Sequence, residues 1–376
     1  MNRIYLDNAA TTPMDKDVVA IMAEMMEQQF GNPSSIHADG RAVRTKVEEA
    51  RKTVAKLLNT SPSEIFFTSG GTEADNMAIR CSIKDLGIKH AITTSIEHHA
   101  VVHTLEELAK EGAIKLSFVQ LDNLGSVDLA HLAELLAENE RSFVSLMQAN
   151  NEIGNLLDLN AVGELCEKHN AIFHSDTVQT MGHYVHDLAN LPVHFITCAA
   201  HKFHGPKGVG FLYINNKVKI SPLIFGGAQE RNMRGGTENV YGIVGLAKAL
   251  SIAYEEMQAH HTHIQSLKSY MIEQLTEKIP GIQFNGNTAP DKSLYTVLNV
   301  SFPPSEMGEM LLFSLDIAGI SASGGSACSS GSNVGSHVLT GIKADPARAA
   351  VRFSFSKFNT KAEIDTVIAK LQELIK

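Results

Sequence analysis

The chain is poor in cysteine and spaces what it has widely. Cys81, Cys166, Cys198 and Cys328 are its only four in 376 residues, and no two form a CxxC pair. That spacing argues against a disulfide framework and against a cysteine-rich zinc site. Blocks of lysine or arginine are missing too. With 32 basic and 41 acidic residues the formal net charge is −9, so binding to nucleic-acid phosphates is not expected. No apolar run approaches the roughly 18 residues that a membrane span needs, so no membrane partner is expected. The start MNRIYLDNAA has no apolar signal-peptide core, and the expected location is cytoplasmic. There is no HExxH and no internal repeat.

What is present is enough apolar sequence for a large core, 44% of residues. At roughly 150 residues per domain the length suggests two domains. Apolar residues at helical spacing run through DKDVVAIMAEMMEQQF and GRAVRTKVEEARKTVAKLL, with the breaker GNPSS between them. From Glu64 onward, short β-rich runs (EIFFT, AITTS, IKLSFVQ, FVSLMQ, AIFHS, HFITC, VGFLYI) mostly alternate with helical ones. This order predicts an α/β fold whose mainly parallel sheet is sandwiched by helices. A long helical pattern with a break runs from about Thr237 to Lys278. Beyond it TVLNVSF, EMLLFSLDIAG, AVRFSF and KAEIDTVIAKLQELI predict a smaller α+β unit. The expected domains are residues 14–258, and a small domain made of 1–13 with 259–376.

In a parallel sheet, ligands sit at the carboxyl ends of the strands. The segments in that position are SGGTEADN, EHH, NNEIG, HSDTVQ and AAHKFHGPKG, and all are polar. SGGTEADN opens a helix with free N–H groups that suit a phosphate, although alone it reads more readily as a plain strand-to-helix turn. Asp176, after AIFHS, is a carboxylate in a protein-lined place that needs a cationic or N–H partner, unless it only caps a turn. Lys202, after HFITC, is either a surface lysine or an amine that desolvation would make nucleophilic. Together these groups fit one cofactor, pyridoxal phosphate. The lysine would form its imine, the Asp would keep its ring nitrogen protonated, the helix N-terminus would hold its phosphate, and His98 would stack on its ring.

The motifs LDNAATTP, GNPSSIH, TSGGTEADN, EHHAVV, NNEIG, HSDTVQ, AHKFHGPKG, RGGTEN, GGSACSSGS and VRFSFSKFN occur in this order from Leu6 to Asn359. In them the chain resembles the cysteine desulfurases, pyridoxal-phosphate enzymes of fold type I and the class-V aminotransferase type. It is most similar to the group with a mobile SxGSAC loop, the bacterial sulfur donors of iron–sulfur assembly. The resemblance implies roles residue by residue. Lys202 would be the imine lysine, with Lys207 only its GPKG neighbour. His98 would stack on the ring, Asp176 would pair with its nitrogen, and Gln179 would reach its hydroxyl. Asn151 would lie near the ring oxygen and the substrate carboxylate, which Arg352 would grip with its planar fork. Gly71, Thr72 and His201 would cradle the phosphate, and Thr237 would reach it from a second subunit, which implies a homodimer.

Cys328 would take sulfur from L-cysteine as a persulfide, leaving alanine, and pass it to an acceptor protein for iron–sulfur cluster or other sulfur-transfer pathways. Residues 321–336 carry no charge and few large side chains, as a pliable tether requires. The thiolate is the nucleophile, so its ordinary pKa of ~8.5 has to be lowered or its proton taken by a base such as His98. Two departures stand out. Ala199 replaces a common serine that would donate to phosphate, and Asn333-Val334-Gly335 replaces a Leu-Glu-Pro-like segment. Three other readings compete. A pyridoxal-phosphate cysteine or selenocysteine lyase would not need Cys328. A zinc hydrolase could use His99, His103 and HKFH, but three converging ligands are not evident and no metal site is expected. A non-catalytic scaffold would need neither Lys202 nor Cys328.

Overall fold

A computed structural model of the chain describes residues 3–324 and 335–375. After a short strand β1 (Ile4–Tyr5) come helices α1 (Lys16–Gln28) and α2 (Ala38–Leu57), divided at the predicted breaker. The alternating region follows as β2 (Ile65–Thr68), α3 (Gly71–Asp85), β3 (His90–Thr93), α4 (His99–Lys110) and β4 (Lys115–Phe118). It continues through α5 (Leu129–Ala137), β5 (Ser142–Ser145), α6 (Leu159–Lys168) and β6 (Ile172–Asp176). It ends with β7 (Phe195–Ala199) and β8 (Gly210–Ile214). Asp128 and Asp158 start α5 and α6 by accepting N–H groups of the first turn, the ordinary N-cap arrangement.

These seven strands form one sheet in the order β2-β8-β7-β6-β5-β3-β4. It is parallel from β7 through β6, β5 and β3 to β4, while β8 runs antiparallel to both of its neighbours. The reason lies in the connection. Residues 200–209 are too few for the helical crossover that a parallel return needs, so β7 and β8 pair as a hairpin. That same tight connection carries His201 and Lys202.

Both faces of the sheet are covered, as the strand pattern predicts. One core includes Val47 and Val54 of α2 with Phe173, Phe211 and Leu250, and the other includes Ala74 and Ala78 of α3 with Val101, Leu105 and Phe143. At roughly 1.5–3 kcal/mol for each fully buried large apolar side chain, these two layers are the main stabilisation of the sheet.

The long helical pattern resolves into α7 (Val240–Glu255) and α8 (Met257–Lys278), with the expected break at Glu256. Next come β9 (Gln283–Asn285), β10 (Val297–Ser301), α9 (Leu311–Ile317) and β11 (Ile320–Ser321). The described chain closes with α10 (His337–Gly341), β12 (Ala350–Ser354) and α11 (Lys361–Leu374). Antiparallel β12-β10-β9 packs under α8, α9 and α11 around a separate core that contains Met271, Leu298, Phe353 and Ile368. The N-terminal strand joins this unit, since β1 pairs in parallel with β11 and Leu6 lies in the same core.

Candidate active site

The ends of β3, β5, β6 and β7 and the start of α3 meet around a cavity of about 270 Å³. This is close to the lower end of small-molecule sites, which run roughly 300–1,000 Å³. Nine residues singled out in the sequence line it: Gly71, Thr72, His98, Asn151, Asp176, Gln179, His201, Lys202 and Arg352.

Along one wall α3 begins without a side-chain cap, so the N–H groups of its first turn point outward unpaired. Gly70, just before it, has φ 151°, a conformation that glycine adopts readily and other residues do not. Gly71 is needed for closeness: a Cβ there would come within 3.0 Å of Val178 Cγ2. Ala199 lies below, its Cβ 3.8 Å from that same position. This is an anion cradle built of backbone, without a hydroxyl at residue 199.

Asp176 ends β6 and is buried. Its Oδ1 accepts the Val178 N–H at 2.9 Å, while burial first, and then the neighbouring Asp75, push its pKa up to about 6. His98 caps α4, and its Nδ1 accepts the Ala100 N–H at 3.1 Å, which fixes the ring and directs its proton to Nε2. Burial lowers its pKa, opposed by the Asp176 charge, so the imidazole is neutral at pH 7. Lys202 Nζ donates to the carbonyls of Ala9 and Ala10 at 2.6 and 2.9 Å, and Gln179 Nε2 donates to Ala9 at 3.1 Å. The LDNAATTP segment is therefore the clamp that aims the lysine, a job its sequence alone did not disclose.

Arg352 sits on β12, from the smaller unit, and is almost wholly buried. One terminal nitrogen donates to Asp7 Oδ1 at 2.8 Å and the other to the Asn151 carbonyl at 2.9 Å, while Nε has no partner among the described residues. A buried guanidinium nitrogen left open beside a cavity suits an incoming carboxylate.

One expected residue is not at this cavity. Thr237 is exposed and lines a separate cleft with Ser69, Gly208 and Arg234. Cys328 lies outside the described residues. The described chain on either side of its segment is tied to Arg352 of the cavity and to neighbours of the cavity residues His98 and Asn151, however. Ser323 pairs with Arg352 by two backbone hydrogen bonds, Ser336 donates to Glu152 at 2.5 Å, and His337 Nε2 meets the Glu97 carbonyl at 2.9 Å. Lys207 lines the outer opening with Thr72 and His201. His99 and His103 stack ring on ring, with 4.6 Å between centroids, and neither lines the cavity.

Sequence reasoning passed over a cavity acid inside a motif it had already marked. Asp75 follows Gly71 by four residues on α3, so both face the same way. Helical spacing was the signal available. The buried Asp75 Oδ1 has no hydrogen-bond partner among the described residues.

The class-V aminotransferase family model matches residues 4–367. The chain belongs to that family. A protein from Dictyoglomus turgidum named cysteine desulfurase IscS is 41% identical over 99% of this chain and 94% of its own. Among solved structures, a NifS-like protein has a TM-score of 0.91 at 39% identity, covering 99% of this chain and 98% of its own. Another, SspA in complex with cysteine, has a TM-score of 0.82 at 28% identity, covering 95% of this chain and all of its own. The chain is thus a class-V aminotransferase-type protein with the α/β architecture of the NifS-like enzymes.

Proposed function

We propose that the chain is a cysteine desulfurase that binds pyridoxal 5′-phosphate in the cavity and converts L-cysteine to L-alanine, with the sulfur leaving on Cys328. The observation that carries this is the convergence, on one cavity, of an amine (Lys202), a buried carboxylate (Asp176) and an uncapped helix N-terminus. The cavity's unused polar atoms support the fit, and relatives at about 40% identity carry the desulfurase name.

The cofactor, when bound, supplies a carbonyl for amines and a ring that withdraws electrons from the substrate carbon. The N–H groups of Gly71 and Thr72, with His201, would hold its phosphate. Asp176 would pair with its ring nitrogen, Gln179 with its hydroxyl, and His98 would stack on its ring. Arg352 Nε and Asn151 orient the substrate carboxylate, and Lys202 Nζ moves the proton at the substrate Cα. The Cys328 thiolate attacks the substrate Sγ, so an S–S bond forms as the Cβ–Sγ bond breaks. The electron pair of that bond stays with the carbon, which takes up a proton and leaves as alanine.

We also propose a large domain of residues 14–258, a small domain of 1–13 with 259–376, and a homodimer. Phe30, just before the GNPSSIH segment, Ile36 within it and Phe225 near RGGTEN are 80%, 88% and 77% exposed. Apolar residues this open beside an exposed Thr237 support a second copy that brings Thr237 to its partner's phosphate. The sulfur acceptor would be an iron–sulfur scaffold or another carrier, and the place of action the cytoplasm. No helix among the described residues is long and apolar enough to cross a membrane.

The test is product analysis from L-cysteine with a thiol reductant. Alanine should form, and Cys328→Ala should abolish it while the cofactor absorbance stays. Pyruvate as the main product, or an unimpaired Cys328→Ala, would favour a lyase and defeat the proposal.

A further inference from the structure

The floor of the cavity holds more acid than its proposed chemistry uses. Asp75 and Asp176 each have a carboxylate oxygen within 4.8 Å of the other and of a nitrogen of His98. Both acids are buried, Asp75 with 1% of its surface exposed. Glu97 is buried nearby, but its two oxygens are occupied by the Met147 N–H at 3.0 and 2.9 Å and by the Thr94 hydroxyl at 3.1 Å. Asp75 is different. Its carboxyl has the Thr197 hydroxyl as a hydrogen-bond partner, yet Oδ1 has none. The nearest ring nitrogen, His174 Nε2, is 3.4 Å from it. His174 is itself buried and engaged with Ser145 and Thr197, which keeps it neutral.

Two carboxylates this close in a low-dielectric place cannot both ionise cheaply; one keeps a proton. Asp176 receives the Val178 N–H and would meet the cationic ring nitrogen, so its charge is the better compensated. We propose that Asp75 is a positioning residue that carries the shared proton and thereby keeps Asp176 anionic toward the cofactor ring. This rests on the reading of the cavity as a pyridoxal-phosphate site. Burial raises both acids, Asp75 to about 7 and Asp176 to about 6, in agreement with this geometry. Glu97, His98, His174, Cys198 and Lys202 are the other titratable groups around the pair. The balance is simple. One proton is bound per pair, and it stays on Asp75, which leaves Asp176 free to accept a hydrogen bond from the ring nitrogen's own proton when the cofactor is bound.

Infrared difference spectroscopy of the full chain, with aspartate labelled at the carboxyl carbon with ¹³C, tests this without relying on activity. The label separates the pair from Glu97. Without cofactor at pH 6, a protonated-carboxyl band that moves with the label should be present, should vanish by pH 9, and in Asp75→Asn should be weaker and disappear at lower pH, since only the burial of Asp176 then remains to hold a proton. Should that variant not fold, Thr197→Val, which removes the hydroxyl partner, should move the disappearance of the band to higher pH. With pyridoxal phosphate bound, the label-sensitive band should persist at pH 6. Absence of the band at pH 6, or its survival unchanged in Asp75→Asn, overturns the assignment. Cofactor absorbance on the same samples reports separately on whether the cavity binds pyridoxal phosphate at all.

Discussion

Two of the places where this molecule buries charge are built in opposite ways. Between α2 and the sheet, Arg51 meets Glu230 through two parallel bonds of 2.7 Å, and also Glu48 and the Ile65 carbonyl. Glu230 in turn accepts the Phe67 N–H at 2.8 Å, and the guanidinium lies 4.7 Å from the Phe67 ring centre. Every charge there is answered from within the chain. At the cavity, Asp75 Oδ1 and Arg352 Nε are buried and unanswered. The first arrangement completes a fold. The second keeps polar atoms waiting for a ligand, and the chain tolerates their desolvation because other packing holds the walls.

If this contrast is right, damage at the two places should separate. The largest effect is expected from Lys202→Ala. Alanine formation should fall roughly 10³-fold or more, as for loss of a group that moves protons at the reacting atom. Thermal unfolding should change little, and an unfolded variant would break the contrast. Next, Arg51→Ala leaves Glu230 buried without its partner and should cost about 3–5 kcal/mol of stability in denaturant titrations. Cofactor bound per folded molecule should be unchanged, and a large loss of cofactor would show that the pair belongs to the site.

Asp75→Asn sharpens the comparison with pH. The folded-state pKa of Asp75 is raised to about 7, against roughly 3.9 for an unfolded aspartate. The folded chain therefore binds the extra proton between those values, and stability present at low pH is lost as pH rises through 7. Replacing the acid with a neutral amide removes that loss. Cofactor-free Asp75→Asn should thus exceed the wild type by on the order of 1–3 kcal/mol at pH 8, with the difference gone near pH 4. Equal stabilities at pH 8 would contradict it. The smallest effect is expected at Ala199. Ala199→Ser adds a hydroxyl beside Gly71 and should slow cofactor loss by up to about tenfold, one hydrogen bond to a charged group.

Much of this was legible in the sequence because the chemistry sits where the strand pattern changes. EHH, NNEIG, HSDTVQ and AHKFHGPKG lie at strand ends, and the sheet brings all four to one rim. Asp75 was hidden because a helix motif states spacing but not which neighbour its face meets. The role of the Ala9 and Ala10 carbonyls was invisible because backbone acceptors carry no residue signature. β1 and β11, two residues each, are too short to show any period. Strand direction is likewise unwritten in VGFLYI; only the brevity of the 200–209 connection hints that β8 runs antiparallel. Thr237 stays away from the cavity of its own chain, in keeping with a role that the resemblance assigned to a second subunit.

The most direct test of the account is to find where the cofactor attaches. Borohydride reduction of the protein purified with pyridoxal phosphate, followed by digestion and mass spectrometry, should place a single pyridoxyl group on Lys202. A pyridoxyl group on Lys207 or another lysine, or no adduct on a protein that still makes alanine, would contradict the reading of this cavity.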